Sequence, residues 1–230
     1  MGNIDRFDQM ATRYDTPERA AVARVIADTI RTHVPEGAGW SAIDYGCGTG
    51  LVGLQLLDTF SSLLFVDASA SMVEQVRLKL QERDAENAKT LYCNIMEAIP
   101  DGLRADCILV VQVLLHESDV PLLLSRLRSL LNDGGRLVIV DFDRNDAVVS
   151  REVQGGFDQA ALAELLSGMS FSNIHSETFY QGEKLLMNQD ASLFILTAEQ
   201  GGPHAILNRC PKHTRKGRSP DGLLSESWKP

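Results

Sequence analysis

The sequence predicts a doubly wound α/β fold, in which a mainly parallel sheet carries helices on both faces. Short apolar segments alternate with amphipathic helical segments, and a glycine-rich turn follows the first apolar segment. Hydrophobic residues make up 44% of the 230-residue chain and charged residues 23%, which is ordinary for a folded domain. We therefore expect one domain over residues 1–200, with N-terminal helices and a lid in 1–35 and the sheet in 40–200.

Turn signals and apolar spacing place the elements in order along the chain. Thr16 is expected to cap the first helix, with Pro17 in its first turn, and this helix ends near Pro35. We expect strands at residues 40–43, 62–66, 90–94, 105–111 and 136–142, and helices at 51–57, 69–83, 120–131 and 159–166. Segments 171–179 and 192–198 are expected to close the sheet as a hairpin. The alternation implies parallel strands joined by right-handed crossovers.

Composition excludes several classes of function. The net charge is −9, which disfavours a nucleic-acid partner, because binding phosphates needs a positive surface. The four cysteines lack metal-ligand spacing and no apolar run approaches about 18 residues, so we expect no metal site, no membrane span and a cytoplasmic protein. Residues 201–230 are rich in glycine, proline and basic residues, and we expect a disordered basic tail there.

The strongest functional signal is the glycine turn at residues 44–50, which reads Asp-Tyr-Gly-Cys-Gly-Thr-Gly. Glycines allow a tight turn and let a ligand approach the backbone N–H groups. Residues 48–53 also match the GxGxxG pattern of dinucleotide-binding proteins. However, residues 32–76 contain no Lys or Arg, whereas Asp44 and Asp67 are acidic, which favours a cationic ligand over a pyrophosphate.

On these residues the sequence resembles the class I S-adenosylmethionine-dependent methyltransferases, whose first motif is an acidic residue followed by three alternating glycines. The resemblance covers roughly residues 7–198, and its opening, Phe7-Asp8 with Tyr14-Asp15, resembles the small-molecule and quinone-type members. It implies a Rossmann-like, seven-stranded sheet with the last strand antiparallel. It also implies methyl transfer from S-adenosylmethionine to a small molecule by in-line displacement, with S-adenosylhomocysteine as product.

Asp67 follows the second strand, at the sheet edge where ligands of open α/β sheets bind. Its carboxylate can accept hydrogen bonds from both ribose hydroxyls, although it is also placed to cap the next helix. The resemblance implies that Ala68 lies beside the adenine and that Asn94 accepts a hydrogen bond from the adenine amino group. It also implies that Gln112 lies near the methionine portion of the cofactor. The expected cofactor-binding residues are Tyr14, Asp44, Gly46, Gly48, Asp67, Ala68, Asn94, Ile95 and Gln112.

Several roles stay open at this point. Asn94 also suits an ordinary turn after a strand, and Tyr14 is either a lid residue or a packing residue. His116 is a candidate catalytic base, a substrate contact or a cap. Two other functions remain: a nicotinamide-dependent oxidoreductase and a non-catalytic S-adenosylmethionine-binding regulatory module. The acceptor is expected beneath the N-terminal helices and residues 143–157, in a monomer or homodimer.

Overall fold

A computed structural model of the protein describes residues 7–35, 39–150 and 153–201. Its seven strands form one sheet in the order β3-β2-β1-β4-β5-β7-β6. β7 runs antiparallel to both β5 and β6, and the other strand pairs are parallel, so the predicted mainly parallel sheet with an antiparallel last strand is confirmed. The strands are β1 (Ser41–Tyr45), β2 (Ser62–Asp67), β3 (Ala88–Tyr92), β4 (Ala105–Val111), β5 (Leu131–Phe142), β6 (Phe171–Leu186) and β7 (Gln189–Gln200).

Four α-helices cover the two faces of the sheet: α1 (Pro17–His33), α2 (Ala70–Glu82), α3 (Val120–Ser129) and α4 (Gln159–Gly168). Neighbouring residues of β1 show the division, because side chains alternate across a strand. Ala42 packs in one apolar cluster with α1 and α2, and Ile43 packs in the other with α3 and α4. The doubly wound arrangement is therefore confirmed.

Polar side chains fix the starts of the four helices. Thr16 accepts a hydrogen bond from the N–H of Arg19 at 3.3 Å, as its position before Pro17 predicts. The same capping bond is made at α2, α3 and α4 by Ser69, Asp119 and Asp158. Each bond satisfies an N–H group that has no partner within its own helix.

The predicted helix at residues 51–57 is wrong, because the segment between β1 and β2 contains only a short 3-10 helix, Gly53–Gln55. Gly53 lies so close to the sheet that a Cβ there would come within 2.3 Å of Asp44 Oδ2 and 2.5 Å of Phe65 Cε1. Glycine also disfavours a regular helix by about 1 kcal/mol. The segment therefore follows the sheet closely instead of forming a full crossover helix.

The C-terminal hairpin is longer than predicted. β5 ends at Phe142, which pairs with Leu193, so residues 181–191 of the hairpin project beyond the carboxyl edge of the sheet. α3 also ends at Ser129, two residues earlier than expected, and β5 begins at Leu131. The tail predicted beyond Gly201 lies outside the described residues. No helix in the described residues combines the length and the apolar character needed to cross a membrane.

Candidate functional site

The glycine turn lies at the carboxyl edge of the sheet, between β1 and β2. The N–H groups of Gly46 and Cys47 both donate to the carbonyl of Val66, at 2.8 and 3.2 Å. Gly46 has a φ of +69°, and a Cβ there would lie 2.4 Å from Val113 Cγ2, so no other residue fits without displacement. Gly48 has a φ of +53°, and its missing Cβ would meet nothing within 4 Å. The turn therefore presents bare backbone to open space.

Asp67 joins the turn to the end of β2. Its Oδ2 accepts from the N–H of Gly48 and its Oδ1 from the N–H of Ser69, each at 2.8 Å. Burial raises the pKa of Asp67, and these backbone hydrogen bonds oppose the rise. Each carboxylate oxygen keeps a further lone pair. The two elements that sequence reasoning singled out are therefore side by side, and Ala68 is half-buried next to them.

Asp44 lies beneath the turn, with 2% of its surface exposed. Burial raises its pKa to about 7, with a smaller contribution from the charge of Asp67, and a hydrogen bond from the Gly53 backbone opposes the rise. A cation above the turn would favour the ionised form of this carboxyl. The ionisation of Asp44 therefore depends on the charge of the ligand bound above the turn.

At the end of β4, Gln112 has a left-handed backbone conformation with a φ of +54°. Its N–H donates to the carbonyl of Val140 at 2.7 Å, which holds it at the sheet edge. Non-glycine residues in this conformation are uncommon and occur often at ligand sites. A 3-10 helix, Leu114–His116, follows, and the His116 ring lies edge-on to the Phe7 ring at 5.2 Å.

Asn94 occupies a turn after β3. Its Oδ1 accepts from the N–H of Met96 and its Nδ2 donates to Glu97 Oε1, both at 3.0 Å. Asn94 thus has the turn role that was one of the two interpretations of this residue. Its carbonyl oxygen retains a second lone pair, which the adenine contact would use. Ile95 is fully buried, and its carbonyl accepts a hydrogen bond from Arg126.

The N-terminal segment, residues 7–16, is anchored over this edge by two carboxylates. Asp8 accepts from the hydroxyl of Ser69 and from the N–H of Ser71, the latter at 3.1 Å. Asp15 accepts from the hydroxyl of Thr49 and pairs with Lys79 Nζ at 2.6 Å. Sequence reasoning noted these acids only as part of a family resemblance, and it did not find their contacts.

Tyr14 lies between these two anchors. Burial raises the pKa of its hydroxyl, and the charge of Asp67 contributes in the same direction. The Tyr14 ring lies 6.3 Å from the ring of Phe7, and the Arg19 guanidinium lies 4.2 Å from its centroid. The Tyr14 ring thus packs within the N-terminal segment, and the charge of Asp67 acts on its hydroxyl.

Asp141 is a buried residue of this edge that sequence reasoning missed. It is fully buried in β5 and accepts from the N–H of Phe142 at 2.9 Å and of Leu115 at 3.4 Å. Burial raises its pKa to about 7. The sequence signal that could have identified Asp141 is the presence of an acidic residue within the otherwise apolar run 137–142. Through Leu115, Asp141 holds the 3-10 helix that carries His116.

Residues 43–137 match a family profile described as "Methyltransferase domain". The match includes the glycine turn, Asp67, Asn94 and His116. That profile covers 95 of the 230 residues, so this part of the chain is similar to a methyltransferase domain. Among curated relatives, the chain is 31% identical over 108 residues to a ubiquinone biosynthesis O-methyltransferase of Nitrobacter winogradskyi. That alignment covers 47% of this chain and 41% of the relative, so the chain spans less than half of that relative's length.

Two solved structures are similar to this chain in fold. One is magnesium protoporphyrin IX methyltransferase of Synechocystis PCC 6803 with bound S-adenosylhomocysteine, with a TM-score of 0.61 and 18% identity, covering 80% of this chain and 83% of that chain. The other is the [4+2]-cyclase SpnF, with a TM-score of 0.64 and 18% identity, covering 80% of this chain and 81% of that chain. At these identities the likeness concerns the fold.

The residues of the crevice fit the family's cofactor, S-adenosylmethionine, which carries positive charge and no phosphate. The open space beside Gly48 leaves room for a ligand against backbone, and Asp67 lies at its border. Burial raises the pKa values of the carboxyls of Asp44 and Asp67 there, and a bound cation would favour their ionised forms. Among the described residues, no group of three or more His, Cys, Asp or Glu side chains is arranged to hold a metal ion.

Proposed function

We propose that this protein binds S-adenosylmethionine at the carboxyl edge of β1, β2 and β3 and transfers its methyl group to a small-molecule acceptor by in-line displacement. One observation carries the proposal: the Gly48 N–H donates to Asp67 at 2.8 Å, which joins bare backbone and a carboxylate at one border of the crevice. When bound, the cofactor supplies a methyl carbon already activated by positively charged sulfur.

The residues of the first three strands would hold the cofactor. Asp67 has lone pairs directed away from its backbone donors, and these suit two ribose hydroxyls. Gly46 and Gly48 would let the ligand lie against backbone, and Asp44 beneath them would stabilise its positive charge. These assignments rest on the donor geometry and charge of the crevice.

The remaining cofactor contacts are proposed from position. Ala68 and Ile95 flank the place for the adenine, and Asn94 offers its carbonyl oxygen to the amino group. Gln112, held in a left-handed conformation at the end of β4, would contact the methionine portion. Tyr14 would cover the site as part of the N-terminal segment.

The acceptor would bind beyond the end of β4. His116 and Glu117 lie there, and Gln154 ties residues 153–157 to this region by donating to the carbonyls of Leu115 and Glu117. We propose His116 as the base for an acceptor that must lose a proton. The main contribution of the chain is alignment of acceptor and methyl, which in well-oriented reactions supplies about 7–11 kcal/mol.

The test is binding of S-adenosylmethionine to Asp67→Ala by calorimetry. We expect a loss of about 2 kcal/mol, or about thirtyfold in affinity, since the ribose would lose a charged partner. Asp101→Ala is the control. It removes an exposed carboxyl from a turn between β3 and β4, and it should bind S-adenosylmethionine as the wild type does. Unchanged affinity in Asp67→Ala would overturn the role of Asp67. Tight NADH binding without S-adenosylmethionine binding would overturn the proposed function and favour an oxidoreductase.

A second candidate is a protein that binds S-adenosylmethionine without transferring its methyl group. It is supported by the structural likeness to a protein that is named as a cyclase. Formation of S-adenosylhomocysteine with a panel of phenols, amines and thiols separates the two candidates. Cofactor binding without product from any acceptor in the panel would favour the second.

We also propose that the protein acts in the cytoplasm on a small molecule, as a monomer or homodimer and without a nucleic-acid partner. The free thiols of Cys47, Cys93 and Cys107 among the described residues support a reducing compartment. The acidic surface supports the absence of a nucleic-acid partner. Light scattering on the purified protein, with and without added DNA, tests the oligomeric state and the absence of a nucleic-acid partner.

A further inference from the structure

A cavity of about 280 Å³ lies behind the glycine turn, between α1 and α2. It borders the segment of the β1–β2 connection that contains the 3-10 helix Gly53–Gln55 in place of a crossover helix. We call it the basic cavity. Its lining comprises Asp15, Ala20, Arg24, Gly50, Leu51, Leu54, Gln55, Lys79 and Arg83. None of the proposed cofactor contacts is in this lining, so the basic cavity is separate from the cofactor crevice.

Positive charge predominates in the basic cavity, with three cationic side chains and one carboxylate. Lys79 Nζ pairs with Asp15 at 2.6 Å and donates to the Thr49 carbonyl at 2.7 Å. Arg24 and Arg83 have neither an ion pair nor a side-chain hydrogen bond within the part of the chain that the structure describes. Two guanidinium groups at one cavity are thus available for an external partner.

The helix dipole explains only part of this arrangement. Lys79 and Arg83 lie one turn apart at the C-terminus of α2, where cations interact favourably with the dipole. Arg24 lies within α1, away from its last turn, and nevertheless lines the same cavity. An anion bound between the two helices would give Arg24 and Arg83 a partner and would also interact with Lys79.

We propose that the basic cavity binds a phosphate group, either inorganic phosphate or the phosphate of a small monoester. Guanidinium groups match phosphate oxygens in geometry and charge, and an ammonium adds a point charge. Leu51, Leu54 and Ala20 form an apolar part of the wall, which strengthens charge interactions by excluding water on that side. The volume lies near the lower end of the range for small-molecule pockets, about 300 Å³.

The direct test is a titration of the full chain with inorganic phosphate at constant ionic strength, followed by ³¹P NMR line broadening and calorimetry. We expect saturable binding in the millimolar range or tighter. The double variant Arg24→Gln, Arg83→Gln should bind at least about tenfold more weakly, since it loses two charged hydrogen-bond donors. A parallel titration with glycerol 1-phosphate identifies the source, because a monoester site will bind it more tightly than inorganic phosphate.

The matched control is Arg77→Gln. It removes one positive charge from the same helix, but Arg77 pairs with Glu74 and does not line the basic cavity. Its phosphate affinity should equal that of the wild type. Absence of saturable binding, or equal affinity in the control and the double variant, would overturn the proposal. Arg24 and Arg83 are exposed and unpaired, so circular dichroism should show both variants folded, and the single variants Arg24→Gln and Arg83→Gln provide the same comparison if the double variant unfolds.

Discussion

The two halves of the sheet build the same carboxyl edge in different ways. In the half formed by β1, β2 and β3, which we call the cofactor half, charged side chains tie segments that are distant in sequence, as Asp8 does with Ser69 and Asp15 with Lys79. In the half formed by β4 to β7, the acceptor half, the edge is extended by residues 143–150 and 153–157 and by the hairpin tip. The cofactor half is therefore held by charged side chains that join distant segments. The acceptor half carries longer loops, which Gln154 and Asp143 tie to neighbouring elements by polar bonds of their own.

This difference separates two tasks. A charged and polar ligand needs donors and acceptors held at fixed places, because each unsatisfied buried polar group is costly. An acceptor surface carried on loops can change without disturbing the sheet beneath it. We expect variants in the cofactor half to affect stability and cofactor affinity together, and variants in the acceptor half to affect mainly acceptor choice.

The largest expected effect is that of Gly53→Ala, which tests how tightly the cofactor half is packed. The added Cβ would meet Asp44 and Phe65, both almost fully buried, at less than 2.6 Å. We expect the free energy of unfolding to fall by about 2–3 kcal/mol. Gly168→Ala at the end of α4 is the control, since its Cβ meets nothing within 4 Å and should be neutral or slightly stabilising. Similar results for both would show that the close approach at Gly53 is easily relieved.

A pH titration compares one buried acid from each half, Asp44 and Asp141, whose pKa values burial raises to about 7. In the unfolded chain these two carboxyls ionise near pH 4. The stability that they contribute below that pH is therefore lost as pH rises towards 7. The free energy of unfolding falls by at most about 1.4 kcal/mol per pH unit for each carboxyl. Chemical denaturation between pH 4 and 7 should show a smaller decline in Asp44→Asn and in Asp141→Asn than in the wild type.

The cofactor distinguishes the two acids. A cation above the glycine turn stabilises ionised Asp44, so the affinity for S-adenosylmethionine should rise from pH 5.5 to 7 in the wild type and in Asp141→Asn. The rise should be reduced in Asp44→Asn. An equal rise in all three proteins would mean that Asp44 does not sense the ligand.

The smallest expected effect concerns the anchoring of the N-terminal segment. Asp15→Asn keeps the shape of the side chain but removes the charge that pairs with Lys79. We expect faster amide hydrogen exchange in residues 7–16 and a loss of about 1 kcal/mol, or about fivefold, in cofactor affinity. Asp28→Asn, which breaks an exposed pair with Arg31 on α1, should leave both unchanged. Unaltered exchange in Asp15→Asn would show that the pair does not anchor the segment.

Sequence reasoning found the features that depend on local patterns. The central strands β1, β2 and β4 are apolar runs, and the cap at Thr16 has a known signature. The adjacency of Gly48 and Asp67 follows from parallel strands that end at one edge. The contacts of Asp8 and Asp15 join residues far apart in sequence, and no local pattern reports them. The left-handed conformation of Gln112 is set by its bond to Val140, which belongs to another strand.

The erroneous helix at 51–57 has a physical explanation of the same kind. Its apolar residues suit a helix, and Leu54 and Leu56 are indeed buried. The deciding factor is the close approach of Gly53 to β1 and β2, which depends on tertiary packing. Local helical preference was overridden there by contact with the sheet.

The position of β7 affects how the protein is synthesised. β7 lies between β5 and β6, yet it follows both in the chain, and among the described strands β6 pairs with β7 alone. Until residues 189–200 leave the ribosome, β5 presents an unpaired edge and β6 has no partner to join. Because such edges promote association between chains, the nascent protein should depend on chaperones until its final strand emerges.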